Sequence, residues 1–319
     1  MSDQLVPLRL PPVVPGRRIV GYSAVLLPHT DTAEVDWDGF ESLLGRTLGA
    51  GLIPAVNMDT GYVQLLTEAD RTRVLTVAVS LAGAGGFAAG AFVADGEGDA
   101  YDHDAYARAM AEVSEAGGTP VLFPSWGLAA LDEAEWVAAQ ERLGSGVDRF
   151  IAFELGDMFV PYGRIYSLDA YRGLMGIPSC IGAKHSSLSR QAEWARLALR
   201  NEVRSEFSVF TGNDLAIDMV RYGSDYLLGL SAFAPDAFAE RDRRWAAEET
   251  SFDELNDLLQ YLGFFAFRPP VPGYRHDAAM FLKLRGWIDS DATPAGAPQR
   301  PDADREVLAD IAGRLTDVL

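Results

Sequence analysis

The sequence predicts an α/β fold, a (βα)8 barrel followed by a C-terminal helical segment. From residue 18 onward, short apolar or β-branched runs alternate with longer helical patterns, as in repeated βα units around a parallel sheet. The alternation occurs eight times, with a spacing of about 30 residues that suits a barrel of this kind. The strand candidates are almost continuously apolar, which is typical of a sheet covered on both faces.

The elements follow in a regular order along the chain. The eight strand candidates lie at 18–28, 52–58, 86–94, 119–125, 149–155, 179–186, 206–212 and 225–233. The helical patterns between and after them lie at 36–49, 67–82, 102–116, 131–143, 167–175, 188–200, 214–221 and 235–247. Only helical patterns follow residue 248, at 251–265, 277–288 and 302–315. We therefore divide the chain into a barrel, 1–247, and a helical extension, 248–319.

A doubly wound sheet is the alternative for an alternating α/β pattern. Such a sheet is expected to carry a glycine-rich phosphate loop between an early strand and its helix. The glycine cluster at 82–90 does not have the G-x-G-x-x-G spacing in that context, so we interpret it as an ordinary loop.

Composition excludes several functional classes. The 27 basic and 46 acidic residues give a net charge of −19, which repels nucleic acids and anionic membranes. The first residues lack the pattern of a signal peptide, and no apolar stretch reaches the ~18 residues of a membrane span, so we expect a cytoplasmic protein. The single cysteine, Cys180, and the four histidines show no metal-ligand spacing, and we expect no metal.

Lysine usage draws attention to one position. The chain has only two lysines, Lys184 and Lys283, among its 27 basic residues. Arginine cannot replace lysine where a neutral amine must act as a nucleophile, because the guanidinium stays protonated. Lys184 ends the sixth strand candidate, and active sites of βα barrels lie at the carboxyl ends of the strands. Burial there would lower the pKa of its ammonium, although a salt-bridged lysine on the barrel rim is equally compatible with the spacing.

Several segments in collinear order resemble one family of class I aldolases. GIPSCIGAKHSSLSR at 176–190 resembles the lysine-bearing segment of the dihydrodipicolinate synthase and N-acetylneuraminate lyase family. DTGYVQLLTEADR at 59–71 is similar to the T-T-G-E-x-x-x-L-T-x-x-E-R segment of that family. VPYGRIYSLDAYRGL at 160–174 is similar to the N-x-P-x-R-T region before its lysine strand. TGNDLAIDMVRYGSDYLLGLSAFAP at 211–235 resembles its G-x-D segment and eighth strand. The resemblance covers most of the chain.

This resemblance implies a mechanism and a set of site residues. Lys184 would form an imine with the C2 carbonyl of pyruvate or another 2-oxo acid, and the protonated imine would stabilise an enamine. The hydroxyl of Thr60 and the backbone of Gly61 would hold the substrate carboxylate, with Gly212 and Leu228 beside the substrate. The resemblance implies no cofactor. It also implies a homo-oligomer, either a dimer or a tetramer.

Departures from the family pattern begin at Asp59, which stands where the family usually has a threonine. A carboxylate next to the expected substrate carboxylate would repel it unless a cation intervenes or Asp59 is protonated. Asp59 could instead be a general base, a sign of a different substrate, or a turn-forming residue before Thr-Gly.

The proton-shuttling tyrosines of the family are also missing from their expected positions. The fifth strand candidate ends with Phe153, Glu154 and Leu155, and another alignment puts Phe159 at the tyrosine position. Pro124-Ser125-Trp126 replaces the segment that carries the neighbouring subunit's tyrosine. Glu154 or Tyr162 could take over general acid–base work, or Tyr162 could simply pack in its loop. Arg164 falls where the family has a substrate-entrance arginine, with a surface salt bridge as the alternative.

Three functional hypotheses follow. The first is a Schiff-base-forming lyase or aldolase that acts on a 2-oxo acid. The second is an acid-sugar dehydratase or an aromatic hydratase-aldolase, because Trp126, Phe153 and Phe233 would line a less polar pocket. The third is a barrel that has lost its proton relay and only binds ligands.

Overall fold

The computed structural model describes residues 10–319 and shows the predicted barrel. Eight parallel strands pair in sequence order, and β8 closes the sheet against β1. The strands are β1 (Gly21–Ala24), β2 (Ile53–Val56), β3 (Ala88–Ala91), β4 (Thr119–Leu122), β5 (Phe150–Leu155), β6 (Cys180–Ser186), β7 (Ser208–Thr211) and β8 (Asp225–Leu228). The fold class predicted from the sequence, a (βα)8 barrel with C-terminal helices, is confirmed.

Helices surround the barrel and continue beyond it. They are α1 (Trp37–Gly49), α2 (Glu68–Ala82), α3 (His103–Glu115), α4 (Trp126–Ala130), α5 (Glu133–Gly144), α6 (Leu168–Met175), α7 (Arg190–Val203), α8 (Pro235–Ala246), α9 (Phe252–Ala266), α10 (Tyr274–Leu284) and α11 (Asp304–Val318). Side chains of Asp36, Thr67 and Asp132 accept hydrogen bonds from backbone N–H groups in the first turns of α1, α2 and α5. These caps satisfy N–H groups that have no partner within the helix.

The connection between β7 and β8 differs from the prediction. A helix was expected at 214–221, but the chain forms 3₁₀ turns over Ile217–Tyr222. Gln260 of α9 accepts a hydrogen bond from the Ile217 N–H at 2.9 Å and donates one to the Asp214 carbonyl at 3.1 Å. The C-terminal segment therefore satisfies backbone groups that a regular helix would have paired internally.

Apolar side chains fill the inside of the barrel and the layer around it. Tyr22, Ala55, Val121, Ile151 and Leu227 belong to the interior cluster. A larger cluster lies between the strands and the helices and includes residues of α9, α10 and α11. Strand alternation thus separates residues that face the barrel axis from residues that face the helices. No helix among residues 10–319 is long and apolar enough to cross a membrane.

Candidate active site

Lys184 points into the barrel from β6 and is 7% exposed. In the strand register it lies between Phe153 of β5 and Phe210 of β7. Its Nζ atom lies 4.3 Å from the centroid of the Phe153 ring. Burial lowers the pKa of the Lys184 ammonium to about 8, although the Asp214 and Asp59 carboxylates act in the opposite direction. A larger fraction of this amine is therefore neutral near pH 7 than of an exposed lysine.

Gly212, which follows β7, leaves the space that the lysine occupies. A Cβ atom at this position would lie 3.0 Å from the Cε atom of Lys184 and would collide with the Ser186 hydroxyl. The Gly212 backbone N–H donates to the His185 carbonyl at 2.9 Å. The absence of a side chain at Gly212 therefore makes room for the Lys184 side chain.

Asp214, two residues further on, supplies a buried carboxylate near the lysine. Its Oδ1 atom accepts a hydrogen bond from the Leu230 backbone N–H at 2.8 Å. Burial raises the pKa of the Asp214 carboxyl, while the Leu230 N–H and the Lys184 ammonium oppose this shift. The structure therefore adds Asp214 to the surroundings of Lys184.

Asp59 and Thr60 follow β2 and join a buried hydrogen-bond network with the C-terminal segment. The Tyr274 hydroxyl donates to Asp59 Oδ2 at 3.0 Å and lies 2.9 Å from Thr60 Oγ1. Arg275 forms an ion pair with Asp59 Oδ1 at 3.3 Å and also donates to the Asp59 carbonyl at 3.1 Å. Gln64 donates to Asp59 Oδ1 at 2.6 Å. Arg275 is therefore the cation that offsets the negative charge of Asp59.

The donors expected to hold a substrate carboxylate are already engaged. The Gly61 backbone N–H donates to the Met58 carbonyl at 3.0 Å. Tyr274 uses its single hydroxyl hydrogen for Asp59, so the Thr60 hydroxyl must be the donor in its contact with Tyr274. In this conformation both predicted donors are engaged within the protein, and their role in holding a substrate carboxylate stays a prediction.

Glu154 lies on the opposite face of β5 from the lysine site. Its carboxylate accepts from Arg196 Nε and Nη2 at 2.7 and 2.6 Å, and its Oε2 atom lies 2.9 Å from His185 Nδ1. Burial favours the neutral carboxyl, but Arg196 and His185 outweigh this effect and lower the pKa of Glu154 to about 2. Glu154 therefore joins β5 and β6 to α7 and is not placed to exchange protons at Lys184, contrary to the predicted relay role. His185 faces the helices together with Glu154.

Tyr162 packs on the side of the barrel that carries the lysine site. Its ring contacts Trp126, with centroids 5.2 Å apart, and its side chain packs against the interior cluster. Burial raises the pKa of the Tyr162 phenol to about 12, and the Asp59 and Asp95 carboxylates add to this shift. The phenol is thus a neutral hydrogen-bond donor at ordinary pH, and its assignment to proton transfer stays a prediction.

Three other predicted residues have structural contacts instead. Arg164 donates to the Ala129 and Leu131 carbonyls at 3.1 and 2.7 Å, so its guanidinium binds the end of α4. Leu228 and Phe233 are fully buried in the layer between strands and helices, where Phe233 contacts Phe281. Their side chains belong to the layer outside the barrel interior, and the substrate contact of Leu228 and the pocket role of Phe233 stay predictions.

Sequence reasoning missed Tyr274 and Arg275. They lie 214 and 216 residues from their partners Thr60 and Asp59, and nothing in the local pattern of 268–277 connects them to β2. Asp214 could have been found, because it is a polar residue immediately beyond an apolar strand. Among residues 10–319, no group of three or more histidine, cysteine or acidic side chains is arranged to hold a metal ion.

The (βα)8 barrel fold is shared with known structures. Dihydrodipicolinate synthase from Thermotoga maritima superposes with a TM-score of 0.78 at 16% identity, covering 95% of this chain and all of that one. The chloride-inhibited Acinetobacter baumannii enzyme, complexed with pyruvate, gives 0.75 at 17% identity over 95% and 100% of the two chains. A catalytic-lysine mutant of Ruminococcus gnavus sialic acid aldolase gives 0.73 at 14% identity over 95% and 97%.

These likenesses are similarities of fold. No protein-family profile matches the chain, and no curated protein sequence matches it either.

Proposed function

We propose that the protein is a Schiff-base-forming lyase of the dihydrodipicolinate synthase and N-acetylneuraminate lyase family, acting on pyruvate or another 2-oxo acid through Lys184. The observation that carries the proposal is the buried Lys184 amine at the carboxyl end of the barrel, with its pKa lowered by desolvation. A neutral amine in such a place attacks a carbonyl carbon readily. The pyruvate complex of the Acinetobacter enzyme and the catalytic lysine of the Ruminococcus aldolase support the same chemistry on this fold.

In the proposed reaction, Lys184 adds to the C2 carbonyl and loses water to give a protonated imine. The imine withdraws the electron pair of a C–C or C–H bond at C3, which produces an enamine. Phe153 and Phe210 flank the lysine and exclude water from the imine nitrogen. The Asp214 carboxylate stabilises the iminium charge, since it already interacts with the ammonium.

Borohydride trapping tests the proposal directly. We expect an intact-mass increase equal to one reduced pyruvate adduct and a modified peptide that contains Lys184. Lys184→Arg should abolish the adduct. Lys283→Arg is a matched control, because Lys283 is the only other lysine and pairs with Asp291 at 3.1 Å on α10. If no member of a panel of 2-oxo acids is trapped by the wild type, the imine mechanism is wrong.

The aromatic surroundings favour a second candidate within the same chemistry. Phe153 and Phe210 flank the amine, and Trp126 contacts Tyr162. An aromatic hydratase-aldolase would suit these side chains better than a synthase of polar products. Pyruvate release from aromatic and sugar-acid aldol substrates separates the two candidates. A ligand-binding barrel would instead bind 2-oxo acids with Lys184→Ala and show no turnover in the wild type.

A further inference from the structure

Thr60, Tyr274 and Asp59 form a continuous hydrogen-bond chain with a fixed direction. Asp59 is ion-paired with Arg275, and a carboxylate in that state only accepts hydrogen bonds. Tyr274 must therefore donate to Asp59, and Thr60 must donate to Tyr274. The Thr60 oxygen keeps a free lone pair, so it is an acceptor for any further partner. All four side chains of this assembly are buried.

Packing contacts hold the three residues of this hydrogen-bond chain in place. The Tyr274 ring stacks on Phe267, with centroids 4.3 Å apart and planes at 16°. Gly229, just after β8, allows the ring and the hydroxyl to meet: a Cβ atom there would lie 3.2 Å from Tyr274 Cε2 and 3.3 Å from Thr60 Oγ1. Gln64 and Arg275 fix the other carboxylate oxygen of Asp59. An arrangement so completely supported needs little reorganisation during a reaction.

Asp59 and Thr60 follow β2 and Lys184 lies near the end of β6, so this hydrogen-bond chain and the lysine share the carboxyl end of the barrel. The Asp59 carboxylate acts on the Lys184 ammonium, and the Asp214 carboxylate acts on both Lys184 and the Tyr274 hydroxyl. Tyr274 and Arg275 come from α10 of the C-terminal segment, while Asp59 and Thr60 follow strand β2. Among residues 10–319, only Thr60 and Asp59 form hydrogen bonds with the Tyr274 hydroxyl.

We propose that Thr60, Tyr274 and Asp59 form a proton relay for a substrate hydroxyl at C4 of a 4-hydroxy-2-oxo acid bound to Lys184. This inference rests on the proposed imine chemistry. In cleavage, the C4 hydroxyl proton passes to Thr60 as the Thr60 proton passes to Tyr274 and the Tyr274 proton to Asp59. The C3–C4 bond pair moves into the protonated imine to give the enamine, and C4 leaves as an aldehyde. Aldol addition is the reverse sequence. Tyr274 is a positioning and relay residue, since it acts through Thr60.

The test uses full-length variants in two assays, borohydride trapping with pyruvate and pyruvate release from saturating 4-hydroxy-2-oxo acids. The panel contains dicarboxylic, sugar-acid and aromatic members. Tyr274→Phe keeps the ring stacked on Phe267 and removes only the hydroxyl. We expect it to trap pyruvate as the wild type does and to cleave roughly 100-fold more slowly or worse, the usual contribution of general acid–base catalysis. Its cleavage rate should also rise with pH where the wild-type rate is flat, because hydroxide replaces the relay.

Two matched comparisons keep the result interpretable. Thr60→Val should behave like Tyr274→Phe, whereas Thr60→Ser restores the hydroxyl and should retain most of the cleavage rate. Tyr261→Phe, at an exposed tyrosine of α9, should change neither assay.

The outcomes separate the two proposals. Wild-type cleavage in Tyr274→Phe overturns the relay while leaving the imine proposal intact. Loss of pyruvate trapping together with cleavage in Tyr274→Phe also overturns it, in favour of a purely structural contact. If Tyr274→Phe does not fold, equal cleavage by Thr60→Val and Thr60→Ser overturns the relay. A wild type that traps no 2-oxo acid, or cleaves no member of the panel, removes the proposed function and the relay with it.

Discussion

Lys184 illustrates how neighbouring groups change the pKa of one residue. The chain uses arginine at 25 of its 27 basic positions, which follows from the two lysines in the sequence. A guanidinium on β6 would stay charged, whereas an amine between Phe153 and Phe210 loses hydration and becomes easier to deprotonate. Two carboxylates, Asp214 and Asp59, limit this effect. Their opposition keeps the pKa in a range where both protonation states are populated near neutral pH.

The pH dependence of imine formation follows from this balance. Only the neutral amine attacks a carbonyl, so the rate of pyruvate trapping should rise with pH and level off above a midpoint near 8. Asp214→Asn removes a charge that favours the ammonium, and the midpoint should therefore move to lower pH. Stopped trapping reactions between about pH 6 and 12, quantified by mass spectrometry, measure both midpoints.

An exposed aspartate provides the matched control for that experiment. Asp236→Asn on α8 disrupts only an ion pair with Arg285 and should leave the midpoint unchanged. A wild-type midpoint at the ordinary lysine value of 10.5 would show that Lys184 is not desolvated in solution.

At the scale of elements, β5, β6 and α7 are joined by a buried charged cluster. Glu154 and His185 are paired neighbours on β5 and β6, and Arg196 reaches both Glu154 oxygens from α7. Arg196 also donates to the Tyr166 carbonyl at 2.7 Å. The cluster lies on the helix-facing side of β6, opposite to the side that carries Lys184, and it fixes the position of that strand.

Removing the Glu154 charge should therefore affect stability and spare the chemistry. Glu154→Gln leaves Arg196 as an unpaired buried cation, for which we expect a loss of about 3–5 kcal/mol in the free energy of unfolding. Glu154→Leu combined with Arg196→Met should cost less, because no charge is left unpaired. Denaturant unfolding measures these changes, and Glu141→Gln on the exposed side of α5 serves as the control.

The chemical readout distinguishes this role from a catalytic one. Under conditions in which Glu154→Gln is folded, pyruvate trapping on Lys184 should remain at the wild-type level. A folded variant that had lost trapping would restore the relay role that the sequence suggested for Glu154.

The elements themselves were largely predictable, because hydrophobic patterns report burial locally. All eight strands fall within the predicted runs, although 225–233 continues as a strand only to Leu228 and then turns at Gly229. The helix expected at 214–221 was wrong because Gln260, far along the chain, satisfies the backbone there. Tyr274 was missed for the same reason: its partners depend on tertiary packing that no local pattern encodes.

At the scale of the whole molecule, the barrel and the C-terminal helices share one hydrophobic core. Phe40 and Leu44 of α1 belong to the same buried cluster as Leu259 of α9 and Leu308 of α11. The division at residue 247 is therefore one of chain pattern, and α8 and α9 are separated only by a short turn. Tyr274 and Arg275 of α10 also contact Asp59 and Thr60 after β2, so the C-terminal helices pack against the strand ends as well. We expect the two segments to unfold as one cooperative unit.

Core truncations on the two sides of the division test that expectation. Leu44→Ala and Leu259→Ala each remove a fully buried side chain and should each cost about 2–5 kcal/mol. Leu284→Ala, at an exposed position of α10, should change the free energy of unfolding by less than about 0.5 kcal/mol. Urea transitions followed by far-UV circular dichroism should coincide with the loss of pyruvate trapping in every variant. If Leu259→Ala lost the helical extension first and kept a folded barrel, residues 248–319 would be an independent unit. The barrel strands, including the one that carries Lys184, would then fold without the packing of that extension.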